Sequence, residues 1–186
     1  MGRVLRVTAA ASVPAAETAV RPLRVRLVIA AIAATLAVID LVVKHLVEQA
    51  HPVDADFGLL SIRLAYNPGI SFSMGASLPA WVVIAVTGAV TLGIAVYAWR
   101  TAPEVPNSAR LALAMILAGA TGNLVDRIAD GAVTDYLYTG WFPTFNIADA
   151  LLTCGVVLLI LVTLLTEVRP RPAARPEPEP QDEPAS

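Results

Sequence analysis

Asp149, in T-F-N-I-A-D-A, and Asp135, shortly before it in A-V-T-D-Y-L, are the residues of this sequence with the most unusual chemistry. Asp149 stands at the mouth of a long apolar run. A carboxylate there is costly when charged and unpaired, so it reads as functional, with Asp135 as its partner. Two carboxylates brought together in a poorly hydrated site cannot both ionise cheaply and tend to share one proton, which supplies an acid and a base together. The ionised member can draw a proton from water while the water attacks an amide carbonyl. The protonated member then stabilises the developing oxyanion and the leaving amine. A structural reading competes: Asn146 or Asp149 could simply cap the helix by accepting its free backbone N–H groups. Other hydrolytic machinery has little support. His45 and His51 are the only histidines, the H-E-x-x-H zinc spacing is absent, and the lone Cys154 lies inside an apolar run where it behaves as a small hydrophobe. No metal and no cofactor is expected.

The elements that must place these acids are hydrophobic. Of 186 residues, 56% are apolar and 15% charged, with a mean hydropathy of +0.67, which points to a membrane protein. The net charge of -2 gives no reason to expect a nucleic-acid partner. Apolar runs cover Leu27 to Ile39, continuing past Asp40 to Val43, then about Pro79 to Trp99, Leu111 to Val125 and Ala150 to Leu165. Each approaches the roughly 20 residues that cross a bilayer as a helix. In hydrocarbon every backbone polar group must be paired within its segment, so these runs are expected to be helices. The expected fold class is an all-α membrane protein with four transmembrane helices in one domain, residues 23–167. Residues 1–22 are mostly small and weakly patterned, the Pro- and Glu-rich residues 168–186 cannot bury a core, and both are expected to be disordered tails. A cleaved signal peptide is the alternative for the first run, given its basic start and Ala33-Ala34. The apolar stretch continues well past those alanines, however, and Asp40 and Lys44 stand four apart, where they can pair on one helical face.

The positive-inside rule assigns the sides. Arg3, Arg6, Arg21, Arg24, Arg26, Arg100, Arg110, Arg169, Arg171 and Arg175 fall in the tails and the second loop, against Lys44, Arg63 and Arg127 on the other side. Both termini are therefore expected in the cytoplasm, with the first and third loops facing outward. The first of those loops, Phe57 to Ser73, shows partial alternation and an Asn67-Pro68-Gly69 turn, and suggests a small hairpin whose Phe57, Leu59 and Ile62 could lie on lipid. The third run ends in A-G-A-T-G-N-L-V-D-R, where small residues allow close packing and Asn123, Asp126 and Arg127 share one face. Those three could bind substrate, or simply anchor the helix end at the headgroups.

Taken in order, these segments resemble the lipoprotein signal peptidase (signal peptidase II) family over roughly residues 25–165. Asp40 and Lys44 resemble that family's acid and base on the first helix, and N-P-G-I-S-F resembles N-x-G-x-x-F. G-A-T-G-N-L-V-D-R resembles G-N-x-x-D-R, V-T-D-Y resembles V-x-D-F, and F-N-I-A-D matches F-N-x-A-D. The resemblance implies an aspartyl endopeptidase with Asp135 and Asp149 as the catalytic pair. It gives Asn67, Gly69, Asn123, Asp126, Arg127, Asn146, Asp40 and Lys44 supporting or substrate-binding places. It further implies prolipoprotein substrates cut just before a diacylglyceryl-modified cysteine, membrane lipid as a partner, a bacterial inner-membrane location with the site on the extracytoplasmic side, and a small extracytoplasmic sheet with a short periplasmic helix. A monomer is expected. Ile70-Ser71, Thr121 and Tyr136 depart mildly from the family pattern, which bears on fine substrate preference. Two other classes compete. In a small transporter or proton relay, Asp40, Asp126, Asp135 and Asp149 would carry ions, but they gather at one side; in a structural subunit the two loop acids would have no purpose.

Overall fold

The computed structural model describes residues 15–50, 54–69 and 78–167. Its elements in chain order are helix α1 (Ala15–Gln49), strands β1 (Asp54–Asp56) and β2 (Ser61–Asn67), helices α2 (Ala80–Thr101) and α3 (Asn107–Asp130), strand β3 (Val133–Tyr138) and helix α4 (Ile147–Glu167). All four helices are long and apolar enough to cross a membrane, as the hydrophobic runs require.

Helix α3 is the central one, packing against α1, α2 and α4. Half of its spanning window is buried, against 28% or less for each of the others, although its mean hydropathy is the lowest of the four. The reason is residue size. Ala109, Ala112, Ala114, Ala118, Gly119 and Gly122 face its neighbours, and small side chains let backbones approach. A Cβ on Gly119 would run into the Ala148 carbonyl oxygen and lie 2.9 Å from Leu152 Cγ. Gly155 returns the fit from α4, where a Cβ would lie 2.8 Å from Ile116 Cγ1. Elsewhere the helices show Leu, Val and Ile outward, among them Leu27, Val38, Leu92 and Leu165, the surface that lipid covers.

The helices outrun the hydrophobic runs that announced them. Helix α1 begins at Ala15, ahead of the tail boundary expected at residue 22, and carries Pro22 inside it. Helix α3 continues past Val125, so Asn123, Asp126 and Arg127 lie within it, and it stops at Gly131, whose φ of 74° forms a left-handed cap with its N–H on the Arg127 carbonyl. Residues 1–14 and 168–186 lie outside the described residues, and with them most of the two expected tails.

A three-stranded antiparallel sheet, β1-β2-β3, covers the end of the bundle where α1 and α3 finish and α4 starts. The hairpin is real but sits earlier than its Pro-Gly signal suggested. Its turn is Phe57–Leu60, between the paired Asp56 and Ser61. There Gly58, with φ 87°, donates its N–H to Asp56 Oδ1 at 2.8 Å, an aspartate-stabilised turn. Asn67-Pro68-Gly69 instead ends β2, and residues 70–73 of the expected hairpin lie outside the described residues. Strand β3 was not anticipated; it pairs along β2 from Ser61↔Tyr138 to Asn67↔Val133. Leu137 and Phe145 then exchange backbone hydrogen bonds of 2.8 and 3.0 Å and return the chain to the start of α4. No helix beyond the four occurs among the described residues, so the short extra helix implied by the resemblance is not found there.

Candidate active site

Asp135 lies mid-strand on β3, opposite Ala65 of β2, and is buried. Asp149 is the third residue of α4, immediately behind Asn146, which caps that helix. The Asn146 Oδ1 accepts the Asp149 N–H at 2.9 Å, and Asp149 Oδ2 accepts the Asn146 N–H at 3.2 Å. This reciprocal arrangement satisfies two helix-start donors at once. The capping role posed for these residues is present, and the cap fixes where the Asp149 carboxylate sits.

The same asparagine reaches the second acid. Asn146 is fully buried, and its Nδ2 donates to Asp135 Oδ1 at 2.7 Å, close also to Asn123 Oδ1 at 3.2 Å. Asn67 Nδ2 donates to Asp135 Oδ2 at 3.4 Å, and Asn123 Nδ2 to Asp149 Oδ1 at 2.8 Å. All four carboxylate oxygens of the pair are therefore held by donors from β2, α3 and the α4 cap. Burial, and then the neighbouring charge of Asp149, push the Asp135 carboxyl up to about 6, against the opposing pull of Asn146, Asn67 and Lys44. Burial also raises the phenol of adjacent Tyr136, keeping it neutral.

One layer further in, Lys44 Nζ lies 2.8 Å from Asp40 Oδ2, 2.9 Å from Asp126 Oδ2 and 3.0 Å from Asn123 Oδ1. These acceptors match the ammonium's three donors, the condition for burying a charge at low cost. The Asp40–Lys44 pair expected from their spacing is present, but it reaches across to α3 instead of bracing α1 alone. Asp40 Oδ1 also accepts the Ala148 N–H at 2.8 Å, tying α1 to the first turn of α4. Asn123 is orientated by this layer: a lysine can only donate, so the amide oxygen faces Lys44 and the nitrogen is left for Asp149. Arg127 Nη2 donates to the Gly69 carbonyl at 2.8 Å and so fastens the end of β2 to α3.

All ten residues expected at the site are brought to this one end of the bundle. Three more belong there that were not singled out. Glu48 accepts from Thr134 Oγ1 at 2.5 Å, while the Thr134 N–H donates to Asp126 Oδ2 at 3.2 Å, so both residues steady the strand that carries Asp135. Gly122 makes room for the lysine layer, since a Cβ there would lie 2.6 Å from Asp40 Oδ2. Glu48 had a legible signal, as the third member of the Asp40, Lys44, Glu48 series at four-residue spacing. Gly122 is the glycine of the G-N-x-x-D-R pattern, whereas Thr134 had only its proximity to Asp135. No group of three or more His, Cys, Asp or Glu side chains among the described residues is disposed to hold a metal ion.

A family model for signal peptidase (SPase) II matches residues 32–165. The lipoprotein signal peptidase of Rhodococcus jostii (strain RHA1) is 37% identical over 150 residues, 75% of this chain and 74% of its own. That of Sinorhizobium fredii (strain NBRC 101917 / NGR234) is 36% identical over 141 residues, 72% of this chain and 84% of its own. Among solved structures, one described as a bacterial membrane enzyme superposes with a TM-score of 0.66 at 25% identity, over 76% of this chain and 90% of that one. A second of the same description gives 0.62 at 26% identity, over 74% and 92%. The matched stretch runs from the first helix to the last and takes in every hydrogen-bonded polar residue from Asp40 to Asp149, and on that ground the chain belongs to the signal peptidase II family, as a multi-pass membrane protein.

Proposed function

We propose that this protein is an aspartic endopeptidase that removes signal peptides from prolipoproteins by cutting on the N-terminal side of the diacylglyceryl-modified cysteine. The observation that carries the reading is the pair Asp135 and Asp149, held through the one side chain and backbone of Asn146 at the edge of a membrane bundle. With one proton between them, the ionised carboxylate takes a proton from water as the water oxygen adds to the scissile carbonyl. The protonated carboxyl donates to the oxyanion. When the C–N bond breaks, a proton passes to the leaving amine and the pair returns with one proton. The elevated Asp135 carboxyl suits the proton-holding place. Asn67 and Asn146 orientate Asp135, and Asn123 orientates Asp149. Asp40, Lys44 and Asp126 hold these amides from behind, and Arg127 keeps Gly69 and the end of β2 beside the site.

Substrate depth supports the same reading. The acids sit where α1 and α3 end and α4 begins, so a peptide whose cysteine is anchored by lipid presents its backbone at that height. The distribution of arginines favours cytoplasmic termini and a site on the outer face of the bacterial cytoplasmic membrane. The gathering of acids at one end does not suit a proton path, which needs them at successive depths.

The test is cleavage of a purified diacylglyceryl-modified precursor by detergent-solubilised protein, beside Asp149→Asn and an unlipidated precursor, with mass spectrometry locating the cut. A cut just before the modified cysteine, lost in the variant and on the unlipidated substrate, is expected. Near-normal turnover by Asp149→Asn, or an uncut lipidated precursor with folded wild-type protein, overturns the proposal.

A further inference from the structure

At the end of the bundle opposite the acids, α1 and α3 bound a groove of about 310 Å³ walled by Val25, Val28, Ile29, Ile32 and Leu111. Arg24 and Arg110, each in an opening turn of its membrane-spanning segment, line the same groove. From Arg24 to Ile32 the walls run about 12 Å along α1 at the helical rise, from the membrane edge into the apolar layer.

The two cations differ from those at the acid end. Neither is paired with a carboxylate among the described residues. Arg110 is nonetheless rigidly placed: its Nε donates to the Ala102 carbonyl at 2.8 Å, Nη2 to the Pro103 carbonyl at 3.2 Å and Nη1 to Asn107 Oδ1 at 2.7 Å. A guanidinium has five N–H donors, so two remain, on a plane held by three hydrogen bonds and facing no carboxylate among the described residues. Arg24 is exposed on the facing helix.

The geometry points to a binding site for one anionic phospholipid of the leaflet at this end, its phosphate between Arg24 and Arg110 and an acyl chain along Val28, Ile32 and Leu111. Charge and shape together select this occupant. Residues 1–14 carry Arg3 and Arg6 and no acid, so they are repelled by the two arginines. Residues 168–186 carry Glu177, Glu179, Asp182 and Glu183, but apart from Val168 only Pro and Ala to fill an apolar groove. A phospholipid supplies both the anion and the hydrocarbon.

The full-length protein, stripped of lipid in mild detergent, is titrated with phosphatidylglycerol or phosphatidylcholine and bound lipid is counted by native mass spectrometry. One phosphatidylglycerol is expected to bind in preference to phosphatidylcholine, weakened roughly fivefold in Arg24→Gln and again in Arg110→Gln. Val28→Trp, at a half-exposed position, fills the groove while keeping both arginines and should abolish binding, with its unfolding curve checked against wild type. Arg100→Gln, exposed near the same membrane edge in the last turn of α2, should leave binding unchanged. Equal retention by Val28→Trp and wild type, loss in Arg100→Gln as large as in Arg24→Gln, equal binding of both lipids, or binding that appears only after removal of residues 168–186 each overturns the site.

Discussion

The two ends of this bundle hold positive charge in opposite ways. At the end bearing Asp135 and Asp149, Lys44 is almost wholly buried and is neutralised by side chains from α1 and α3, every donor matched at 2.8 to 3.0 Å. At the other end, Arg26 donates to the Trp99 carbonyl at 2.8 Å and lies 5.5 Å from the Trp99 ring, while Arg110 uses the Ala102 and Pro103 carbonyls. Those carbonyls lie in or just past the last turn of α2, where the helix dipole favours a cation, and the pairs are exposed or half-buried. A charge met by helix-end carbonyls at the surface can lose a partner cheaply. A charge inside a closed set of carboxylates cannot, because removing one member strands the others away from solvent. The closed charge network therefore lies directly behind Asp135 and Asp149.

The sharpest break between the ends should come from the acids themselves. Asp149→Asn or Asp135→Asn is expected to lower turnover of a lipidated precursor by roughly 10²- to 10⁴-fold with the fold intact, while Arg26→Gln leaves turnover near wild type. Measured initial rates on matched amounts of inserted protein decide this. Next in size is the lysine layer. Lys44→Met strands Asp40 and Asp126 and should cost about 3–5 kcal/mol in denaturant unfolding. Adding Asp40→Asn and Asp126→Asn to that variant should recover part of the loss, and no recovery would mean the layer is not held by charge.

Gly122→Ala should cost about 1–3 kcal/mol by pressing on Asp40, with Gly93→Ala, which meets no neighbour, as its control in the same unfolding experiment. A smaller effect is set by pH. The folded-state Asp135 carboxyl is raised from the ordinary 3.8 to about 6, so the stability its neutral form contributes is complete below about 3.8 and is lost as pH rises through about 6. Wild-type thermal stability should therefore fall relative to Asp135→Asn across that window, and parallel pH curves would remove Asp135 as the raised group. The smallest effect belongs to the far end, where Arg26→Gln should cost only about 0.5–1 kcal/mol, the range of an exposed cation–aromatic contact.

The site was legible in unequal parts. Asp40 with Lys44, and Asn146 with Asp149, are local pairs at helical spacing, and local geometry forces such residues together wherever a helix forms. Strand β3 was missed because V-T-D-Y-L-Y pairs with a strand far earlier in the chain, and no short-range signal marks such a partner. The hairpin turn was displaced because Pro68-Gly69 is the stronger turn signal, yet it serves to end a strand, while the weaker Phe57–Leu60 segment turns around Asp56.

What the sequence determined by itself is the solvent and the scaffold: long apolar runs can only be helices in a bilayer, and their number, order and approximate limits follow from that. It also determined which residues are too polar for their surroundings. Only the tertiary structure decided that Asn146 touches both acids, that Asn123 is turned by Lys44 towards Asp149, and that Gly122 leaves room for Asp40. Those arrangements depend on side chains from three helices and two strands meeting at one height, which helix packing and strand register set and residue spacing along the chain does not.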